Sequence, residues 1–176
     1  MNARFTLAAL VVSTSLAGCA GMTHRAGPMA MATLEATRGN TTAGMVMFHQ
    51  RGEQVLVHAR IEGLKPGQEH GFHIHEKGDC SSGDGMSSGG HFNPAGKPHG
   101  AQDADHHAGD LPALKADAQG RADAKFQLMG VTIGSGAADI VGRGLIVHAM
   151  PDDYRTQPTG NSGARIACAV IVRHQP

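Results

Sequence analysis

Val55-Leu56-Val57-His58-Ala59-Arg60-Ile61 is the stretch that decides the fold. In an extended chain successive side chains point to opposite faces, so Val55, Val57, Ala59 and Ile61 make one apolar face. Gly63-Leu64-Lys65-Pro66-Gly67 then reads as a turn. Outward from there, short segments of period two recur. They are weak from Met29 to Thr37, and Met45-Val46-Met47-Phe48 follows. The pattern returns in Phe72 to Glu76, Arg121 to Leu128, Leu145 to Ala149 and Arg165 to Val172. No long window carries a 3.6-residue period. Short strands between turn signals predict an all-β sandwich or barrel.

Composition agrees with one such domain. The chain has 176 residues, and its 15 Lys+Arg balance 15 Asp+Glu to a formal net charge of zero. A basic nucleic-acid footprint is absent, so no nucleic-acid partner is expected. The chain is 40% apolar but has no Trp and only one Tyr, so the core must be small and aliphatic. The nine methionines are expected to help fill it. Twenty-five glycines favour turns and loops.

The N-terminus reads as a targeting segment. Arg4 precedes an apolar run from Phe5 to Val12 broken only by Thr6, too short to span a bilayer, which takes roughly 20 residues. The run closes on Leu16-Ala17-Gly18-Cys19, which resembles a bacterial lipobox. Residues 1–18 are thus expected to be a lipoprotein signal peptide and Cys19 a lipidated N-terminus. Residues 19–28 would be a flexible tether and 29–176 the folded domain, held at the membrane through that lipid alone. With Cys19 lipidated, Cys80 and Cys168 remain for one disulfide in an oxidising compartment, two buried thiols being the alternative.

Histidine is the outlier, with 12 residues, most of them between His70 and His107. On a strand, His73 and His75 would share one face while Phe72 and Ile74 enter the core. The stretch from Lys77 to Leu111, rich in Gly, Ser, Asp and His, is too long for a structureless loop without a task. It carries His91, His99, His106, His107 and Asp110, and His148 ends a later strand. Imidazole suits copper and zinc, and three imidazoles with one carboxylate suit tetrahedral zinc.

Several motifs together carry a resemblance. Gly71-Phe72-His73-Ile74-His75-Glu76, Gly89-Gly90-His91-Phe92-Asn93-Pro94, His107-Ala108-Gly109-Asp110-Leu111 and Gly160-Asn161-Ser162-Gly163-Ala164-Arg165-Ile166-Ala167-Cys168 stand in this order. They resemble the signatures of the copper/zinc superoxide dismutases, most closely those of the bacterial exported branch, over approximately Met29 to Val172. The resemblance implies a Greek-key β-sandwich, or flattened barrel, with two long functional loops. It implies copper on His73, His75, His91 and His148, and zinc on His91, His99, His107 and Asp110, with His91 bridging the two. His107 is preferred to His106 because the family pattern is His-x-Gly-Asp. Asp152 would hydrogen-bond a copper-side and a zinc-side histidine. Arg165 would stand beside the copper channel, and Cys80 with Cys168 matches the family disulfide.

The implied reaction is disproportionation of superoxide, a small-molecule substrate, to dioxygen and hydrogen peroxide, with His91 and Arg165 as catalytic residues. The implied location is the periplasm or cell envelope, on the outer membrane in a Gram-negative cell, where the enzyme would protect the envelope. A homodimer is a permitted assembly. His70 is expected to bond backbone, and His24, His49, His58, His106 and His174 to be surface or polar-face residues. Two other classes would leave different traces. A metal-storage lipoprotein on this sandwich could dispense with His91 or Arg165, and both are present. A structural protein folded around zinc would have no use for His73, His75 and His148 as a separate set.

Overall fold

Alternating burial builds the sheet strand by strand. Ala30, Ala32 and Leu34 turn inward from β1 (Met29–Ala36), as do Val46 and Phe48 from β2 (Ala43–Arg51). Val55, Val57, Ala59 and Ile61 do the same from β3 (Gln54–Glu62), as their period predicted. β4 (Glu69–His70), β5 (Phe72–His75), β6 (Leu114–Lys115) and β7 (Ala122–Met129) follow. β8 (Gly144–His148), β9 (Arg165–Val170) and β10 (Val172–His174) complete the set. This computed structural model describes residues 27–175; the signal-peptide, Cys19 and His24 expectations, with most of the tether, lie outside the described residues.

The strands form a curled antiparallel sheet in the order β5-β8-β9-β1-β2-β3-β7, with β10 beside β1 and a separate β4-β6 pair. β1 joins the two layers: Met29 to Leu34 pair with β2, whereas Glu35 and Ala36 pair with β9. The chain leaves β3 near one end of this order and re-enters as β5 at the other. That long crossing gives the Greek-key half-barrel its handed path. Its core is aliphatic around Phe48 and Phe72, and Phe72 meets Phe126 edge-on at 6.5 Å.

Three readings need correction. No described methionine enters the core: Met29, Met31 and Met47 are half-buried, and Met45, Met86, Met129 and Met150 are exposed. The aliphatic residues fill the narrow interior without them. The expected strand from Arg165 to Val172 is two, because Ile171 breaks the ladder and turns into the core between β9 and β10. The two-residue strands β4 and β6 carry no period of their own and were not anticipated. His73 and His75 share one face as expected, and that face is closed over, since all four residues of β5 are buried.

The Lys77–Leu111 stretch covers them. It contains a 3-10 turn at Met86–Ser88 and then lies along β5, where Phe92 N donates to Ile74 O and Ile74 N to Gly109 O, both at 2.8 Å. A Cβ on Gly109 would overlap Ile74 O, so glycine permits this approach. A disulfide joins Cys80 in this stretch to Cys168 on β9.

Candidate metal centre

β5 and β8 are neighbours, with His73 opposite Ile146, and on its other side β8 pairs β9 with an irregularity between Val147 and His148. They bring His73, His75 and His148 to one place, and the overlying stretch adds His91 through a bridge to His75. One ligand atom from each of these four lies within 4.8 Å of the others. A second such set is His91, His99, His107 and Asp110, so His91 belongs to both. All seven residues are buried. The structure thus gathers every sequence-predicted ligand into two adjoining clusters. His106 is left out, its Nδ1 donating to Ala104 O.

Hydrogen bonds decide which ring nitrogen faces inward. His75 Nδ1 donates to Gly89 O at 2.9 Å and His148 Nδ1 to Gly163 O at 3.2 Å. His73 Nε2 donates to Asp152 Oδ2 at 2.6 Å. Each ring is held in one tautomer, with its other nitrogen carrying the lone pair. Those other atoms, His73 Nδ1, His75 Nε2 and His148 Nε2, are buried without a hydrogen-bond partner, and so is His91 Nε2. A knot of unpartnered buried acceptors is costly unless a cation sits among them. An all-imidazole set of this kind suits copper.

The second cluster is organised by Asp110. Its Oδ2 accepts from His107 N at 2.9 Å and Gly100 N at 3.1 Å, which leaves Oδ1 aimed at three imidazoles. His91 Nδ1, His99 Nδ1 and His107 Nδ1 lie 2.7, 3.0 and 3.3 Å from that oxygen. Three imidazoles and a carboxylate form the donor set of a closed tetrahedral zinc site. Asp152 ties the clusters together from behind, since Oδ1 accepts from His99 Nε2 at 2.9 Å while Oδ2 takes His73.

The electrostatics of the two clusters differ in sign. Burial pushes His73 down to about 4, partly opposed by its hydrogen bond to Asp152. Burial lowers His148 to about 3, with the nearby His73 adding to the fall. It holds His75 well below its ordinary value, assisted by His91 and Arg165. At His99 burial also opposes charge, but hydrogen bonds to Asp110 and Asp152 outweigh it and raise the ring to about 9. Burial likewise works against charge on Asp110, and the bonds with His91 and His99 still keep it far below the usual carboxylate range. The first cluster therefore presents neutral lone pairs; in the second, burial lowers His107 too, while the two carboxylates favour a proton at His99.

Arg165 opens β9 close enough to lower His75 and His148 by its charge. Its guanidinium donates to Gly85 O and Gly89 O, each at 2.7 Å, and to Ser88 Oγ at 2.9 Å. His70 bonds backbone, its Nδ1 donating to His148 O at 2.8 Å. Of the histidines expected at the surface or on a polar face, His49, His58, His106 and His174 are all half-buried, and His49 has its Nε2 enclosed without a hydrogen-bond partner.

Three contributors were not anticipated. Buried Ser88 orients Arg165. Gln157 clamps the His99 backbone, donating to its carbonyl at 2.9 Å and accepting from its N–H at 2.8 Å. Gly160, at φ 65, leaves room where a Cβ would overlap Asp152 Oδ1. Ser88 and Gln157 act across long sequence separations that no local spacing signals, whereas Gly160 stands a few residues after Asp152 and opens a motif already singled out.

Comparison with known proteins gives the same picture. Residues 42–171 match the family described as copper/zinc superoxide dismutase. The chain is 38% identical over 141 residues to the superoxide dismutase-like protein YojM of Bacillus subtilis, covering 77% of this chain and 72% of that protein. It is 43% identical over 137 residues to the extracellular superoxide dismutase [Cu-Zn] of Drosophila melanogaster, covering 73% and 74% respectively. The crystal structure of the clock protein EA4 superposes with a TM-score of 0.76 at 36% identity, covering 84% of this chain and 96% of that one.

Proposed function

The chain belongs to the copper/zinc superoxide dismutase family and is an enzyme of that type, and from this premise we propose how its residues divide the work and where it acts. His73, His75, His91 and His148 hold copper; His91, His99, His107 and Asp110 hold zinc. Copper, when bound, supplies the one-electron oxidation and reduction that turn two superoxide ions into dioxygen and hydrogen peroxide, while zinc supplies a redox-inert positive charge. His91 Nε2, whenever it is free, is the atom that holds a proton inside the four-histidine cluster and gives it to reduced dioxygen. Arg165 attracts and docks the small anion through a fixed charge. Asp152 keeps His73 and His99 oriented during turnover.

The observation that carries this reading is the sharing of one buried imidazole, His91, by the two clusters. Metal analysis and superoxide disproportionation assays on protein loaded with both metals test it. His148→Ala should remove activity while zinc is retained, and Asp110→Ala should lose zinc while copper stays. Full activity in His148→Ala would refute the assignment.

The same proposal places the enzyme outside the cytoplasm. The charged start, short apolar run and Leu16-Ala17-Gly18-Cys19 support export and lipidation at Cys19. The Cys80–Cys168 disulfide supports an oxidising compartment. Anchored in the periplasm or cell envelope, the enzyme protects that compartment from superoxide arising there.

A further inference from the structure

Four of the seven described methionines, all outside the core, share one face of the sheet. Met29 and Met31 on β1 and Met45 and Met47 on β2 all occupy the face opposite to Ala30, Ala32, Val46 and Phe48, which point inward. Antiparallel register sets Met31 against Met47 and Met29 against His49. Facing Cβ atoms in such a pair are about 5 Å apart, and successive same-face rows are about 7 Å apart. Met29, Met31, Met47 and His49 therefore stand at the corners of one small rectangle, all projecting the same way. An unbranched thioether side chain with three rotatable bonds can bring its sulfur to the centre of a rectangle that size.

The second observation is the enclosed Nε2 of His49, which has no hydrogen-bond partner among the described residues. The adjacent His58, paired with Met47, differs: its Nε2 is already 2.7 Å from Asp123 Oδ1. A surface built only to dock another apolar surface would have no use for an unsatisfied imidazole nitrogen beside a row of methionines. No carboxylate stands at the four corners, so the set is neutral and soft. Thioether and imidazole without carboxylate select the cuprous ion over zinc, calcium or magnesium. β1 and β2 contribute no residue to the two buried clusters.

We propose that the outer face of β1 and β2 is a separate cuprous-ion site, held by the sulfurs of Met31 and Met47 and Nε2 of His49, with Met29 as the fourth donor. The site binds Cu(I) without any redox step of its own. It requires only the register of two strands, not the extracytoplasmic location proposed above.

The test uses the protein with its buried clusters already filled with copper and zinc. Anaerobic titration with Cu(I) against bicinchoninate, a chromophoric cuprous chelator, should show one further equivalent withdrawn from the chelator. Copper K-edge X-ray absorption before and after that addition should show sulfur scatterers entering with the added ion. The Met31→Leu/Met47→Leu double variant, close to volume-conserving, should bind it at least tenfold more weakly with dismutase activity unchanged. His49→Leu should weaken binding independently. Failure to take a further equivalent, an added ion surrounded only by nitrogen and oxygen, or a folded double variant that binds as tightly as the parent would each overturn the proposal. The absorption measurement on the parent decides the matter even if a variant fails to fold.

Discussion

His99 and Arg165 show how a single side chain is set by contacts far away in sequence. In the metal-free protein His99 holds its proton up to about pH 9, because Asp110 and Asp152 flank it. Zinc requires the lone pair on that ring, so binding at neutral pH must expel the proton. Calorimetry in buffers of different ionisation enthalpy should find about one proton released from His99 per zinc at pH 7, and the release should fade above pH 9. His73 and His148, at about 4 and 3, are already neutral at pH 7 and release none to copper. Zinc binding without proton release would refute this charge assignment. For Arg165, the expectation is kinetic. Arg165→Ala should lower kcat/KM by about tenfold at low salt and flatten its dependence on ionic strength, since steering by a local charge is screened by salt. Arg165→Lys keeps the charge but not the planar fork that reaches Gly85, Ser88 and Gly89. It should retain the salt dependence while losing part of the rate. An Arg165→Ala enzyme with the parent's salt profile would place the attracting charge elsewhere.

At the scale of elements, the site depends on a long irregular segment being held like a strand. The Lys77–Leu111 stretch is fastened along β5 by backbone bonds, to β9 by Arg165 and by the disulfide, and at His99 by Gln157 and Asp152. Each fastening removes freedom that would otherwise let His91 and Asp110 drift from the histidines of β5 and β8. The disulfide joins residues 88 apart in sequence. Closing a loop of that length restricts the unfolded chain by on the order of 4–5 kcal/mol. Cys168→Ser should therefore lower the melting temperature of the metal-free protein by roughly 10–15 °C, using the usual temperature equivalent for a domain of this size. Differential scanning calorimetry reads it directly, and an unchanged melting temperature would show that the bridge does not restrain the unfolded state.

For the whole molecule, the question is where the domain is held. The expected signal and Cys19 precede the folded domain, and their consequence is cellular. Cys19→Ala should move the protein from the membrane fraction to the soluble one, or stall its processing, as read by fractionation and immunoblotting in an exporting bacterial host. A variant that stays with the membrane at the parent's level would rule out lipidation at Cys19.

The sequence by itself determined what local pattern can encode. The inward row of β3 follows from alternation, and β5 follows from Phe72-His73-Ile74-His75. The ligand candidates were legible because histidine and aspartate are conspicuous in type, order and spacing. Tertiary structure decided everything that depends on who stands opposite whom. Only the register of β1 on β2 brings Met29 and Met31 to Met47 and His49, so methionines that read as core residues lie on the outside. Only the folded loops bring Ser88 to Arg165, Gln157 to His99 and Asp152 between two clusters. The physical reason is the same in each case. Periodicity reports which way a side chain points relative to its own neighbours, whereas ligand geometry, tautomer and charge depend on atoms that folding brings near from distant parts of the chain.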